Sequence, residues 1–130
     1  MTESTDGKRV LVVDDDQSLL RMIDQMLTAA GYAVELCSSF ETAKHRLTHS
    51  PPDVLLTDVR LGAFNGLQLV ILAKELSPGT TAVVMSAYDD VTLRKEAFHC
   101  GASYLQKPFT GEAIFNSLSA VAPPDEAILT

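Results

Sequence analysis

The stretch Asp53-Val54-Leu55-Leu56-Thr57-Asp58-Val59-Arg60-Leu61-Gly62 contains the residues on which the fold assignment depends. Its short apolar run, Val54 to Leu56, follows Pro51-Pro52 and precedes a glycine, which is the pattern of a buried parallel strand. Asp58 lies where that strand ends. Open α/β sheets bind ligands in the crevice beyond the carboxyl ends of their strands. The stretch therefore marks Asp58 as a candidate site residue, although a lone aspartate here more often begins a turn.

The chain has the size and composition of one globular domain. Its 130 residues are 46% hydrophobic and 21% charged, which suits one core and leaves no room for a second domain. The net charge of −7 argues against a broad basic surface for nucleic acid or anionic lipid. No segment approaches the roughly 18 continuous apolar residues of a membrane span.

The first residues and the cysteines indicate a cellular compartment. Residues 1–7 lack both the basic start and the apolar stretch of a signal peptide. Cys37 and Cys100 are too few for a disulfide framework, and the apolar neighbours of Cys37 favour a reduced thiol. We therefore expect a cytoplasmic protein that neither binds nucleic acid directly nor enters a membrane.

Five predicted strands alternate with five predicted helices. This alternation implies right-handed βαβ units and an α/β fold of the flavodoxin-like, doubly wound type, with a parallel sheet in the order 2-1-3-4-5 covered on both faces. We divide the chain into a flexible start (1–7), one domain (8–121) and a tail or truncated linker (122–130). The predicted strands are 8–13, 33–37, 54–57, 81–86 and 103–106, and the predicted helices are about 17–30, 40–49, 66–76, 89–99 and 111–121.

Acidic residues end two strands that the predicted order makes neighbours. Asp14-Asp15 follow the first strand and Asp58 ends the third. Carboxylates brought together oppose each other's ionisation, and a divalent cation relieves that repulsion. Mg²⁺ prefers oxygen ligands and keeps several waters, so it suits two carboxylates and a backbone carbonyl. Alone, however, an acidic run such as Asp14 to Asp16 is explained more often by the start of the next helix than by a metal.

A hydroxyl and an ammonium end the remaining two strands of this edge. Ser86 ends the fourth strand and Lys107 the fifth. A carboxylate nucleophile beside a divalent ion and a lysine is suited to phosphoryl transfer, because both cations offset charge on the transferred oxygens. Asp58 is the candidate nucleophile, while Ser86 and Lys107 are candidate partners of phosphoryl oxygens. Each group separately has a simpler reading, and it is their joint placement that favours a site.

Four motifs along the chain form a specific set. They are Val12-Val13-Asp14-Asp15, Thr57-Asp58 with Asn65-Gly66 downstream, Ser86-Ala87, and Gly101-Ala102-Ser103-Tyr104-Leu105-Gln106-Lys107-Pro108-Phe109. Together they resemble the receiver domain of two-component response regulators, over about residues 8–121.

The resemblance implies a phosphoacceptor and its metal ligands. Asp58 would accept a phosphoryl group from a sensor histidine kinase or a histidine phosphotransfer protein. Asp15 and Asp58, with the backbone carbonyl of Arg60, would bind Mg²⁺, and Asp14 would assist through water. Such a domain catalyses its own aspartyl phosphorylation and dephosphorylation and is otherwise a signalling module, not an enzyme.

The resemblance also implies a switch. Ser86 matches the family's switch hydroxyl, Lys107 its phosphate-binding lysine and Tyr104 its switch aromatic. Phosphorylation would draw the hydroxyl toward the phosphate and turn the aromatic inward, which reshapes the surface of helix four, strand five and helix five. That surface would regulate an output domain or partner, and a homodimer through it is a further expectation.

The chain departs from the family pattern in the loop after Asp58. Where the family usually carries Met-Pro, this chain has Leu61-Gly62. Glycine is conformationally permissive, so we expect a more mobile loop, while the site chemistry stays intact. The bulky Arg60 lies beside the same site.

Two other functions fit parts of the sequence. A phosphatase of the haloacid dehalogenase type would use Asp14 as the nucleophile of Asp14-Asp15-Asp16, but Gln17-Ser18 fits that family's continuation poorly and the chain leaves little room for a substrate cap. A flavodoxin-like interaction domain that takes no phosphate is the second alternative. Identifying which aspartate becomes phosphorylated separates these readings.

Overall fold

The predicted strands form a single parallel sheet. The computed structural model describes residues 7–119, and its five sheet strands have the order β2-β1-β3-β4-β5, which confirms the predicted 2-1-3-4-5 topology. All four neighbouring pairs are parallel. The strands are β1 (Arg9–Val13), β2 (Ala33–Cys37), β3 (Val54–Asp58), β4 (Thr81–Ser86) and β5 (Ala102–Gln106).

Five helices connect and cover these strands. They are α1 (Gln17–Ala29), α2 (Phe40–His49), α3 (Leu67–Leu76), α4 (Val91–His99) and α5 (Gly111–Ser119). Helix α4 begins two residues later than predicted because Asp90 is its N-cap, whose carboxylate accepts hydrogen bonds from the N–H groups of Thr92 and Leu93. Residues 1–6 of the predicted flexible start, the last two residues of the predicted helix 111–121 and the tail 122–130 lie outside the described residues.

Apolar side chains cover both faces of the sheet. Alternate strand residues point to opposite faces, so Leu11 and Leu55 lie in one cluster with residues of α2, α3 and α4. Val12 and Leu56 lie in the other, with residues of α1 and α5. Burial on both faces explains the continuous apolar runs of β1, β3 and β4. In the part of the chain that is described, no helix has both the length and the apolar character needed to span a bilayer.

A small antiparallel ribbon follows β3. Arg60–Leu61 pairs with Phe64–Asn65, and Gly62 takes a φ of 62° in the connection, a conformation that favours glycine. The Phe64 ring stacks on Phe40 with 4.5 Å between centroids. The loop predicted to be mobile is thus paired along its length, and Gly62 serves the turn; its mobility stays a prediction.

Gly66 joins this ribbon to α3 at a place where a side chain does not fit. A β-carbon there would overlap the carbonyl oxygen of Asp58 and approach the Thr57 hydroxyl to 2.9 Å. The N–H of Gly66 also donates to the carbonyl of Val59 at 2.6 Å. The Asn65 side chain, just before this N-cap glycine, accepts a hydrogen bond from the N–H of Leu67 at 2.8 Å.

We expect Gly66→Ala to destabilise the protein by about 1–3 kcal/mol, because the methyl group must displace the backbone of β3. Urea unfolding measures this change. Gly79→Ala is the matched control, since nothing lies within 4 Å of a β-carbon at Gly79; it should change stability by less than about 1 kcal/mol. Equal effects of the two substitutions would contradict the close approach at Gly66.

Candidate functional site

Three aspartates meet at the carboxyl edge of the sheet. One carboxylate oxygen from each of Asp14, Asp15 and Asp58 lies within 4.8 Å of the others. Asp14 is fully buried, Asp58 is 8% exposed and Asp15 is exposed. The structure therefore confirms the prediction that the first and third strands bring these carboxylates close enough to share one ion.

The pairing of β1 with β3 brings Asp14 and Asp58 together. Val13 pairs with Thr57 across β1 and β3, so the next residue of each strand, Asp14 and Asp58, reaches the same edge. The N–H of Asp14 donates to the carbonyl of Cys37, and the Asp14 carboxylate accepts from the N–H of Asp16 at 2.9 Å. These bonds fix the Asp14 side chain before any ligand binds.

Lys107 is the cation of the cluster. Its Nζ lies 2.8 Å from Oδ2 of Asp14 and 3.4 Å from Oδ1 of Asp58. Its backbone N–H donates to the carbonyl of Ser86 at 2.7 Å, which holds the residue beside the end of β4. Lys107 therefore contacts Asp14 more closely than Asp58, a pairing that the sequence did not predict.

Burial and charge shift two ionisation equilibria here. Burial raises the pKa of Asp58 above its ordinary value, and the Asp14 charge raises it further, while Lys107 opposes both. Burial alone would lower the pKa of Lys107, but its hydrogen bond to Asp14 and the charge of Asp58 outweigh that effect, so the pKa is raised. Lys107 is therefore charged when it faces the carboxylates.

Ser86 and Tyr104 lie along the neighbouring strands. Ser86 is buried at the end of β4, where its Oγ accepts a hydrogen bond from the N–H of Tyr88 at 3.1 Å. Tyr104 is half-buried on β5, and its hydroxyl donates to the carbonyl of Tyr88. The guanidinium of Arg94 lies 5.2 Å from the centroid of the Tyr104 ring. Both predicted switch residues thus form hydrogen bonds with the backbone of Tyr88.

Two contacts near the site were not predicted from the sequence. The Thr57 hydroxyl donates to the backbone carbonyl of Asp58 at 2.9 Å. The Arg60 guanidinium lies 4.7 Å from the centroid of the Tyr88 ring. A signal for the second contact was available, since Arg60 and Tyr88 each follow by two positions a site residue on neighbouring strands.

The donor set of the cluster fits a hard divalent cation. All three groups that converge are carboxylates, and Asp15 faces solvent, which leaves room for water ligands. One ammonium, Lys107, cannot balance three carboxylates. Among residues 7–119, this is the only group of three or more acidic, histidine or cysteine side chains close enough to share an ion.

Comparison with known proteins assigns the chain to a family. Residues 10–119 match the model of the response regulator receiver domain. The chain belongs to this family. It is 36% identical over 121 residues to the DNA-binding transcriptional regulator NtrC of Klebsiella pneumoniae, which covers 90% of this chain but only 24% of NtrC. The chain thus spans about a quarter of the length of that relative. The family match does not favour the haloacid dehalogenase alternative.

Solved structures of receiver domains have the same fold. A response regulator from Burkholderia pseudomallei, determined with a phosphorylated aspartic acid, a calcium ion and citrate, is 27% identical with a TM-score of 0.81 and covers 86% of this chain and 66% of its own. The beryllofluoride-activated NtrC4 receiver domain dimer is 28% identical with a TM-score of 0.78 and covers 84% of this chain and 92% of its own.

We expect Asp58→Asn to stabilise the metal-free protein at neutral pH by about 0.5–2 kcal/mol, because it removes a buried charge beside Asp14. The folded pKa of Asp58 is raised above 3.8, so its ionised form costs stability above that raised value. The advantage of asparagine should therefore shrink as the pH falls. Urea unfolding with a chelator, over a pH series, measures it.

The control for this measurement is Glu75→Gln, which removes one negative charge at an exposed position. It should change stability little at any pH. A destabilised Asp58→Asn at neutral pH would contradict the assigned cost of the carboxylate.

Proposed function

We propose that this domain is a phospho-accepting switch in which Asp58 receives a phosphoryl group from a sensor histidine kinase or a histidine phosphotransfer protein. The observation that carries this proposal is the meeting of Asp14, Asp15 and Asp58 at one sheet edge, with the Lys107 ammonium 2.8 Å from Asp14 and 3.4 Å from Asp58. An acidic cluster that keeps a cation beside one buried carboxylate suits transfer of an anionic group.

Asp15 and Asp58, with the backbone carbonyl of Arg60, would hold Mg²⁺, and Asp14 would assist through water. The ion, when bound, neutralises charge on the phosphoryl oxygens. The fully buried Asp14 suits a positioning role, because it already accepts hydrogen bonds from Asp16 and Lys107. The exposed Asp15 suits a ligand that shares the ion with water.

Asp58 would act as the nucleophile. An oxygen of its carboxylate forms a bond to phosphorus, the bond between phosphorus and the donor imidazole nitrogen breaks, and the electron pair leaves with the imidazole. Lys107 pairs with a phosphoryl oxygen as charge transfers to Asp58. This self-modification, with later hydrolysis, is the catalysis we assign to the domain; it has no separate substrate to turn over.

Ser86 and Tyr104 would convert phosphorylation into a surface change. The Ser86 hydroxyl already bonds to the N–H of Tyr88, and Tyr104 bonds to the carbonyl of the same residue. If Ser86 moves toward a phosphoryl oxygen, the backbone at Tyr88 moves with it. This movement shifts the Tyr88 carbonyl, to which the Tyr104 hydroxyl donates. Phosphorylation of Asp58 would thereby shift the populations of two arrangements of the α4-β5-α5 surface.

We assign the readout to that surface, through an output domain or partner, or through a homodimer. The dimeric state of the activated NtrC4 receiver supports the homodimer. We place the protein in the cytoplasm, with the kinase as its protein partner and without direct nucleic-acid binding by residues 8–121.

We expect Asp58→Asn to abolish labelling by a small phosphodonor in the presence of Mg²⁺, because the amide is not a nucleophile. Phosphate incorporation and mass mapping of the modified aspartate measure this. Asp53→Asn is the control. Asp53 immediately precedes β3, at the opposite end of the strand from Asp58, so this variant should retain labelling. Undiminished labelling of Asp58→Asn would refute the acceptor, and a modified Asp14 would restore the phosphatase reading.

We expect Lys107→Ala to retain some labelling but to lose the surface change, because the carboxylate and the metal ligands remain while the cation that links Asp58 to β5 is absent. Amide chemical shifts of α4, β5 and α5, recorded with and without phosphodonor, measure the coupling. Lys44→Ala at an exposed position of α2, outside the measured surface, is the control and should keep the surface change. Wild-type shifts in phosphorylated Lys107→Ala would count against the role.

A further inference from the structure

Two histidines on helix α2 form a pair on the surface of the domain. His45 and His49 are four positions apart on this helix, and both are exposed. Their rings stack with 4.0 Å between centroids and 26° between planes. Residues four positions apart lie on the same face of a helix, and helical metal sites use this spacing to present two imidazoles to one ion. The structure thus places two imidazole groups side by side and open to solvent.

A hydrogen bond sets the tautomer of His49. Its Nδ1 lies 2.9 Å from the backbone carbonyl oxygen of His45. A carbonyl oxygen only accepts hydrogen bonds, so we assign the proton of the neutral ring to Nδ1, which leaves Nε2 with its lone pair. Histidines that bind metals characteristically donate their other ring N–H to a carbonyl or carboxylate in this way. His49 therefore has the tautomer and the supporting contact of a metal ligand.

The position of the pair on α2 suits a cation. His49 is the last residue of the helix, and the last turn of a helix carries partial negative charge. Arg46, which lies between the two histidines in sequence, forms an ion pair with Glu35 at 2.8 Å. The positive charge closest to the pair in sequence is therefore partly balanced by a residue of β2.

The pair also lies away from the aspartate cluster. Helix α2 ends beside the start of β1, where the Arg9 guanidinium donates to the carbonyls of Ser50 and Pro51. Asp14 follows β1 and Asp58 ends β3, at the opposite edge of the sheet. An ion bound by the histidine pair would therefore be separate from an ion bound by the aspartates.

We propose that His45 and His49 form a second cation site, which takes a divalent transition metal and does not depend on phosphorylation of Asp58. Imidazole nitrogen suits Cu²⁺, Ni²⁺ and Zn²⁺, whereas Mg²⁺ prefers oxygen ligands. Within residues 7–119, no third acidic, histidine or cysteine side chain lies close enough to share the ion with the pair, so water completes the coordination. Nitrogen ligands bind Cu²⁺ more tightly than Ni²⁺ or Zn²⁺, and we expect this order here.

Calorimetric titration of the untagged chain with Ni²⁺ tests the site, with excess Mg²⁺ present to compete for the aspartates. The test variants are His45→Ala and His49→Ala. One control, His99→Ala, removes an exposed histidine of α4. A second combines Lys44→His with His45→Lys, which keeps the composition but moves one imidazole to another face of α2. Circular dichroism verifies that each variant is folded.

We expect one Ni²⁺ per wild-type chain and the same affinity in His99→Ala. Both alanine variants of the pair, and the variant with exchanged residues, should bind Ni²⁺ at least about tenfold more weakly, because the second imidazole no longer acts at a high effective concentration. Saturating Ni²⁺ should also raise the midpoint of urea unfolding more in the wild type than in the exchanged variant, since the ion prefers the folded helix. Wild-type affinity in the exchanged variant or in either alanine variant, or a wild-type chain that binds no Ni²⁺, would overturn the site.

Discussion

The repulsion among carboxylates at one edge of the sheet is the constraint around which this domain is built. Parallel pairing of β1 with β3 places Asp14 and Asp58 side by side, and burial removes the water that would screen them. Lys107 offsets part of the repulsion, but it lies at the end of β5, two strands away from β3 in the sheet. Strand β5 must therefore be in place before Lys107 can offset the repulsion between Asp14 and Asp58. Site chemistry and sheet assembly depend on each other for this reason.

The same constraint connects the site to the surface. Lys107 and Tyr104 belong to one short segment at β5, and Ser86 and Tyr88 belong to another at β4. The first segment bonds to the second through the N–H of Lys107 and the hydroxyl of Tyr104. The backbone from Ser86 to Tyr88, next to Asp58, is thus already hydrogen-bonded to β5 and the residue that follows it. A change in charge at Asp58 acts on this backbone. No long chain of intermediates is needed, because β3, β4 and β5 are adjacent.

Sequence periodicity was sufficient for the sheet order and for the residues at the strand ends, because apolar runs, helix caps and connection lengths are local signals. The acids, Ser86 and Lys107 followed from that order. Side-chain partners across loops were harder. The closer pairing of Lys107 with Asp14 than with Asp58 depends on side-chain torsions that no spacing encodes. The ribbon after β3 was missed because two-residue strands have no detectable period, and the Arg60–Tyr88 contact was missed with it. Gly66 looked like part of a helix start, whereas its real constraint is the nearness of the Asp58 carbonyl.

The central position of β3 has a dynamic consequence. This strand has a hydrogen-bonded neighbour on each side and a helical layer on each face, so its amides belong to the part of a domain that exchanges with solvent only on global unfolding. Two residues later, Arg60 lies on a ribbon of four paired residues, three of which are exposed. Asp58 thus lies at the boundary between the most protected strand and a ribbon whose amides should open more readily. Its carboxylate is held by that strand, so local opening of the ribbon does not loosen it.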